Sequence, residues 1–184
     1  MGLGKTVRMR RLFSHPSGRL CSVAVDHYII YGEGLPTRLR QIKGTLASLV
    51  AGKPDAITMH KGIAMAAWER YAGEVPLILQ TVVARPDDSA WERVATVEEA
   101  VRLGADAVAT VAFICGPSEA AHLRLIADTV REAAPYDMPV VAHVYPRELA
   151  REDKNGVSPD FARGAAVSLK PENVAWAVRC ALEA

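Results

Sequence analysis

Leu20-Cys21-Ser22-Val23-Ala24-Val25-Asp26-His27 is a short, mostly apolar run that stops on a carboxylate and an imidazole. Three further runs stop in the same way. Ala56-Ile57-Thr58-Met59 leads into His60-Lys61, Leu77-Ile78-Leu79 into Gln80-Thr81, and Val140-Val141-Ala142 into His143, with Tyr145 two residues on. Short continuous apolar runs separated by helical stretches are the pattern of buried parallel strands. In parallel α/β folds the side chains at the C-terminal strand ends line the site. The pattern therefore brings acid, base, amine and phenol to one rim.

Working outward, residues 5–19 read as an N-terminal arm with a turn at Ser14-His15-Pro16-Ser17-Gly18. The first strand then runs to Asp26. Tyr28 to Pro36, with Gly32, Gly34 and Pro36, reads as a loop. Arg38 to Ala51 has apolar residues at helical spacing and stops at Gly52. A second strand, Ala56 to Met59, precedes a helix over Ile63–Tyr71, and Pro76 opens a third strand. Thr96 and Glu99 have the spacing of a capping box, and their helix ends at Leu103-Gly104. A fourth strand spans Ala105–Val111. Pro117-Ser118-Glu119 starts a long helix to about Ala133, and Pro139 introduces a fifth strand. Residues 146–164 form a charged excursion. Pro171 to Ala184 is a final helix, with Val174, Ala177, Val178, Ala181 and Leu182 on one apolar face. Trp68, Trp91 and Trp176 read as helix faces packed in a core or an interface. Alternating strands and helices with right-handed crossovers give a parallel sheet. The varied polar tips favour a (β/α) barrel over a doubly wound sheet.

Composition fits this picture. The chain has 184 residues, of which 50% are hydrophobic and 23% charged, enough for one domain with a sizeable core. A formal net charge of +1 offers no electrostatic case for nucleic acid or an anionic membrane. No apolar stretch reaches bilayer-spanning length, and Met1–Arg11 lacks the apolar core of a secretory signal. Cys21, Cys115 and Cys180 are too few and too widely spaced for a disulfide framework or a zinc motif. Cys21, inside a predicted strand, and Cys180, on a helix, read as small buried hydrophobes, in a reducing, cytoplasmic setting. Gly2-Leu3-Gly4-Lys5-Thr6 imitates the end of a phosphate-binding loop, but no strand and no earlier glycine at the required spacing precede it. Gly32-Glu33-Gly34 has no third glycine at dinucleotide spacing.

The strand-end side chains carry the chemistry. A carboxylate as deep as Asp26 must be paired or hydrogen-bonded. It is a buried acid/base, a charge partner for a lysine, or a cap on the following loop; the strand-end position favours function. His27 orients Asp26, contacts substrate, or simply packs. Lys61, followed by Gly62, holds a phosphate, pairs with Asp26, or is solvated. As a Schiff-base amine it would need burial or nearby positive charge. Tyr145 offers a phenol for proton transfer, and Arg147 a phosphate ligand; the plain alternative is a turn with a packed tyrosine. His143 contacts substrate or fills the core. Gln80 and Thr81 are generic hydrogen-bonders.

The order of Gly4-Lys5, Arg8, Arg11 and Phe13, then Val25-Asp26-His27, then Met59-His60-Lys61-Gly62, then His143-Val144-Tyr145-Pro146-Arg147 resembles the archaeal-type class I fructose-bisphosphate aldolases. These belong to the deoxyribose-phosphate aldolase-like superfamily. The resemblance implies a (β/α)8 barrel of the TIM type that makes or cleaves a carbon–carbon bond through a lysine Schiff base, without metal or other cofactor. It implies that Asp26 handles protons near the imine and that Tyr145 is the acid/base. His27, Lys61, His143 and Arg147 are then substrate contacts, and the substrate a phosphorylated sugar or related keto compound. A homo-oligomer is expected, since family members form rings.

Two departures stand out. Tyr28 replaces the glycine that usually follows the Asp-His pair. The segment Pro171-Glu172-Asn173-Val174-Ala175 resembles the helix leading into strand six, beyond which the family carries its Schiff-base lysine. Lys170 and Lys61 are substitutes within this chain. A full barrel takes about 250 residues, and five strands leave open edges. The chain is therefore expected to be one partial barrel domain, residues 1–184, of about five βα units plus the helix before strand six. That makes it a fragment or a shortened relative. The alternative to an active lyase is an inactive paralogue that binds a metabolite or a partner subunit.

Overall fold

The computed structural model describes residues 2–27, 37–85, 88–147, 167–168 and 170–184. The expected loop at 28–36, including Tyr28, and nearly all of the excursion at 146–164 lie outside the described residues. So does most of 165–169, the stretch that would make Lys170 a strand-six lysine.

Five strands form one parallel sheet: β1 (Ser22–Ala24), β2 (Ala56–His60), β3 (Leu77–Gln80), β6 (Ala107–Ile114) and β7 (Val140–Pro146). Their spatial order is β1-β2-β3-β6-β7, so each new strand is added on the same side of the last. A doubly wound sheet reverses direction at a switch point; this one never does. It is the curled half of a (β/α) barrel, as the sequence predicts. The register runs Ala24 to Thr58, His60 to Gln80 to Ala109, and Val111 to His143.

Every residue of β2, β3 and β6 is buried, because both sheet faces are covered. Helices α2 (Ile42–Ala51), α3 (Lys61–Ala67) and α4 (Val97–Arg102) cover the outer face. Leu46, Ala64, Val97 and Ala100 pack there on Ile57, Met59, Leu77, Leu79 and Val108. Next to them α5 (Glu119–Ala133) and α6 (Pro171–Glu183) pack on Ala112, Ile114 and Val144 through Ile126, Ala177 and Ala181. The capping box at α4 forms as predicted: Thr96 accepts from the Glu99 backbone and Glu99 accepts from the Thr96 backbone.

Four expectations need correction. The N-terminal arm is a helix, α1 (Leu3–Leu12). Its Leu12, only 2% exposed, plugs the N-terminal mouth of the half-barrel against Ala56, Ile78, Ala107 and Ala109. Alanines on the inner face leave the room that a leucine from outside fills. Asp137 secures the start of α1. The Gly4 N–H donates to its Oδ2 at 3.2 Å, and a Cβ at Gly2 would stand 2.1 Å from the same carboxylate. The stretch that imitates a phosphate loop thus begins a helix whose anion is supplied by this chain itself.

Second, Trp91 lies on a strand rather than a helix. Residues Val82–Ala84 (β4) and Trp91–Arg93 (β5) pair antiparallel, a hairpin inserted at the C-terminal end of β3. Third, Cys21 is exposed and precedes β1, its N–H donating to Asp55. Fourth, the apolar face of α6 is divided. Ala177 is buried, whereas Val174, Trp176, Val178 and Leu182 are exposed. Among the described residues, no helix is long and apolar enough to cross a membrane.

Candidate active site

Side chains alternate along a strand. The residues that share a face with Ala56 and Ile78 are therefore Thr58, His60 and Gln80. Val25 packs into the outer core, which sends Asp26 to the inner face. His143 and Tyr145 lie two apart on β7 and share its face with Val141, which packs against the plug. One concave surface thus holds Asp26, His60, Gln80, His143 and Tyr145.

Asp26 is 6% exposed. Gln80 Nε2 donates to its Oδ2 at 3.2 Å, and His27 Nδ1 stands 3.7 Å from Oδ1. The deep carboxyl therefore has partners, as its burial requires. His60 Nδ1 meets the Gln80 carbonyl at 3.2 Å. That contact makes Nδ1 the protonated nitrogen and leaves Nε2 as the basic one. Burial pushes the His60 pKa down, against the opposing pull of the Asp26 charge. His143 is also pushed down by burial; the Asp26 charge raises it and His27 lowers it further. Both imidazoles thus favour the neutral form, suited to exchanging a proton with a bound molecule. Tyr145 is 40% exposed, its ring stacked on Phe113 with centroids 5.5 Å apart.

The two cationic candidates are held elsewhere on the rim. Lys61 Nζ donates to Glu99 Oε1 at 2.8 Å, on the capping box of α4. The hydrogen bond from Lys61 holds the Glu99 carboxyl below its ordinary range, with help from the Thr96 backbone. Arg147 is buried, with Nη1 on Asp88 Oδ2 at 2.8 Å and Nη2 on Ser118 Oγ at 2.8 Å. Lys170 is exposed at the start of α6. The structure therefore brings together Asp26, His27 and His143, with Tyr145 on the same face, and sets Lys61 apart on Glu99. Two residues gain importance over their sequence reading: Gln80, which holds Asp26, and His60.

A family model described as DeoC/LacD family aldolase matches residues 20–184. This chain belongs to the DeoC/LacD aldolase family. Among curated relatives of this DeoC/LacD chain, a 2-amino-3,7-dideoxy-D-threo-hept-6-ulosonate synthase from Halobacterium salinarum is 31% identical over 148 residues. A 2-amino-4,5-dihydroxy-6-oxo-7-(phosphonooxy)heptanoate synthase from Streptomyces griseus is 28% identical over 146 residues. Each match takes in 78% of this chain but only 54% and 53% of the relative, so the chain spans about half the length of the curated relatives it matches. Two solved structures share the fold. A Schiff-base-forming fructose-1,6-bisphosphate aldolase aligns with a TM-score of 0.67 at 24% identity. An archaeal fructose 1,6-bisphosphate aldolase aligns with a TM-score of 0.66 at 25% identity. Both alignments cover 96% of this chain and 76% of the other.

Proposed function

We propose that this chain provides the acid/base half of a Schiff-base aldolase site acting on a phosphorylated sugar or related keto compound. The observation that carries the proposal is the buried Asp26 carboxyl just past β1, hydrogen-bonded by Gln80, with His27 Nδ1 3.7 Å away. His143 and Tyr145 belong to the same concave face. Family membership supplies the reaction class, and the relatives' names, which include a phosphonooxy compound, point to phosphorylated substrates.

In the mechanism proposed, a lysine amine attacks the substrate carbonyl. Asp26 protonates the carbinolamine hydroxyl, which leaves as water and yields the iminium, the protonated imine. Tyr145, 40% exposed, takes the proton from the substrate hydroxyl next to the breaking carbon–carbon bond while passing its own phenol proton to solvent, and the bonding electrons pass into the iminium to give an enamine. His27 and His143 line the substrate. Lys61 and Arg147 each hold a carboxylate, Glu99 and Asp88. They would engage a substrate phosphate only by exchanging that partner. The expected setting is a cytoplasmic homo-oligomer with residues 1–184 forming one partial barrel domain.

The lysine is the open part of the mechanism. No described strand carries one. Lys61 Nζ donates to Glu99 Oε1 at 2.8 Å, and attack by its amine would first require that contact to break. This favours a second reading, an aldolase paralogue that binds a metabolite or completes a partner subunit. The two readings separate in a retro-aldol assay on protein from its native source. Carbon–carbon cleavage that disappears in Asp26→Asn and Tyr145→Phe supports the lyase. Metabolite binding without cleavage, or cleavage only with a co-purifying subunit, supports the second.

A further inference from the structure

Arg147 is 4% exposed, and its guanidinium ties three segments together. It bonds Asp88, in the connection between β4 and β5, and Ser118 ahead of α5. Its Nη2 also donates to the Phe113 carbonyl on β6 at 3.3 Å, and its Cζ lies 5.8 Å from the Phe113 ring centroid. Gly116 keeps the space open, since a Cβ there would stand 2.4 Å from the guanidinium. Asp88 also accepts from Ser118 Oγ at 2.8 Å and lies 3.4 Å from His122 Nε2. Burial pushes the Asp88 carboxyl up, but the hydrogen bonds from Arg147, Ser118 and His122 outweigh it and hold the group below its ordinary value. A buried guanidinium persists only with such a counter-ion. On its other side, Phe113 is in register with Tyr145, and the two rings stack at 28°.

We infer that Arg147, with Asp88 as its counter-ion, is a positioning residue for Tyr145. It fixes the backbone and ring of Phe113, and the Phe113 ring sets the plane of the phenol. The catalytic meaning of that alignment rests on the role proposed for Tyr145. Arginine is required because its planar fork reaches Asp88, Ser118 and the Phe113 carbonyl together and still lies over the ring; a lysine ammonium offers one point of contact. Misplacing a reacting group by an ångström can cost about a hundredfold in rate. The loss belongs to kcat, because the clamp does not touch substrate.

The test is fluorine NMR of the protein labelled with 3-fluorotyrosine, with the Tyr145 line identified by its loss in Tyr145→Phe. Arg147→Lys is expected to shift or broaden the Tyr145 line and leave that of Tyr136 in place. Asp88→Asn, which weakens the hold on the guanidinium without changing Phe113 or Tyr145, is expected to do the same, and it decides the matter if Arg147→Lys does not fold. A Tyr145 line unmoved in a folded Arg147→Lys protein overturns the inference. In the cleavage assay, kcat should fall about tenfold or more with KM within about twofold. A raised KM with kcat unchanged would instead give Arg147 to the substrate phosphate and also overturn it. If the wild-type protein cleaves nothing, the proposed function fails, while the fluorine spectrum still decides the positioning role.

Discussion

At the residue scale, the site depends on a carboxyl that the fold has to hold in place. Asp26 is buried at a strand end, and Gln80 gives it a hydrogen bond that survives exclusion of water. Asp26→Asn keeps the size and the burial but removes the acid. Acid/base catalysis contributes about 10²–10⁴-fold, so turnover should drop by at least about a hundredfold while the circular dichroism spectrum stays as in wild type. A variant with near-wild-type turnover would take Asp26 out of the mechanism. The strand-end residues were legible in sequence because polar groups interrupt apolar runs there. His60 was harder to interpret, since period-two alternation vanishes where both sheet faces are buried. The clamp around Arg147 was not legible at all. Asp88, Ser118 and His122 are 59, 29 and 25 positions from Arg147, and nothing local marks them as its neighbours.

At the scale of elements, capping and plugging do the positioning. The Thr96–Glu99 box both starts α4 and presents Glu99 to Lys61. Loss of an N-cap costs about 1 kcal/mol, so Thr96→Ala should lower the unfolding free energy by about that amount in urea titrations. A change within experimental scatter would argue that packing alone holds α4. The plug is worth more. Leucine-to-alanine changes in cores cost about 2–5 kcal/mol, and Leu12→Ala should fall in that range. A near-zero cost would mean that α1 does not close the barrel mouth. The capping box was legible because its signal is local. Helix α1 was not, since three arginines and a lysine are interspersed among Leu3, Val7, Met9 and Leu12 and mask the apolar stripe. The β4–β5 hairpin escaped for a related reason: Trp91-Glu92-Arg93 is too short and too charged to read as a strand.

At the scale of the molecule, protonation links site and stability. Burial lowers the pKa of His60, His122 and His143 below the ordinary 6.5. Below about pH 6.5 the unfolded chain binds protons at these positions that the folded chain refuses. Stability therefore rises with pH through the window between the folded and unfolded values and is lost as pH falls through it. Thermal melting should shift to lower temperature as pH falls from about 7.5 to 5.5; a flat or opposite trend would mean that their surroundings do not hold these imidazoles neutral. The parallel order of the sheet was legible as a whole because runs, caps and turns agree.

In the proposed mechanism Asp26 and Tyr145 serve an imine formed on a lysine other than Lys61. Borohydride reduction of the protein from its native source, with dihydroxyacetone phosphate present, tests it directly by intact-mass and peptide mass spectrometry. One covalent adduct per chain is expected, on a lysine other than Lys61, with slower formation in Asp26→Asn. No adduct in the wild-type protein, or an adduct on Lys61, would contradict it.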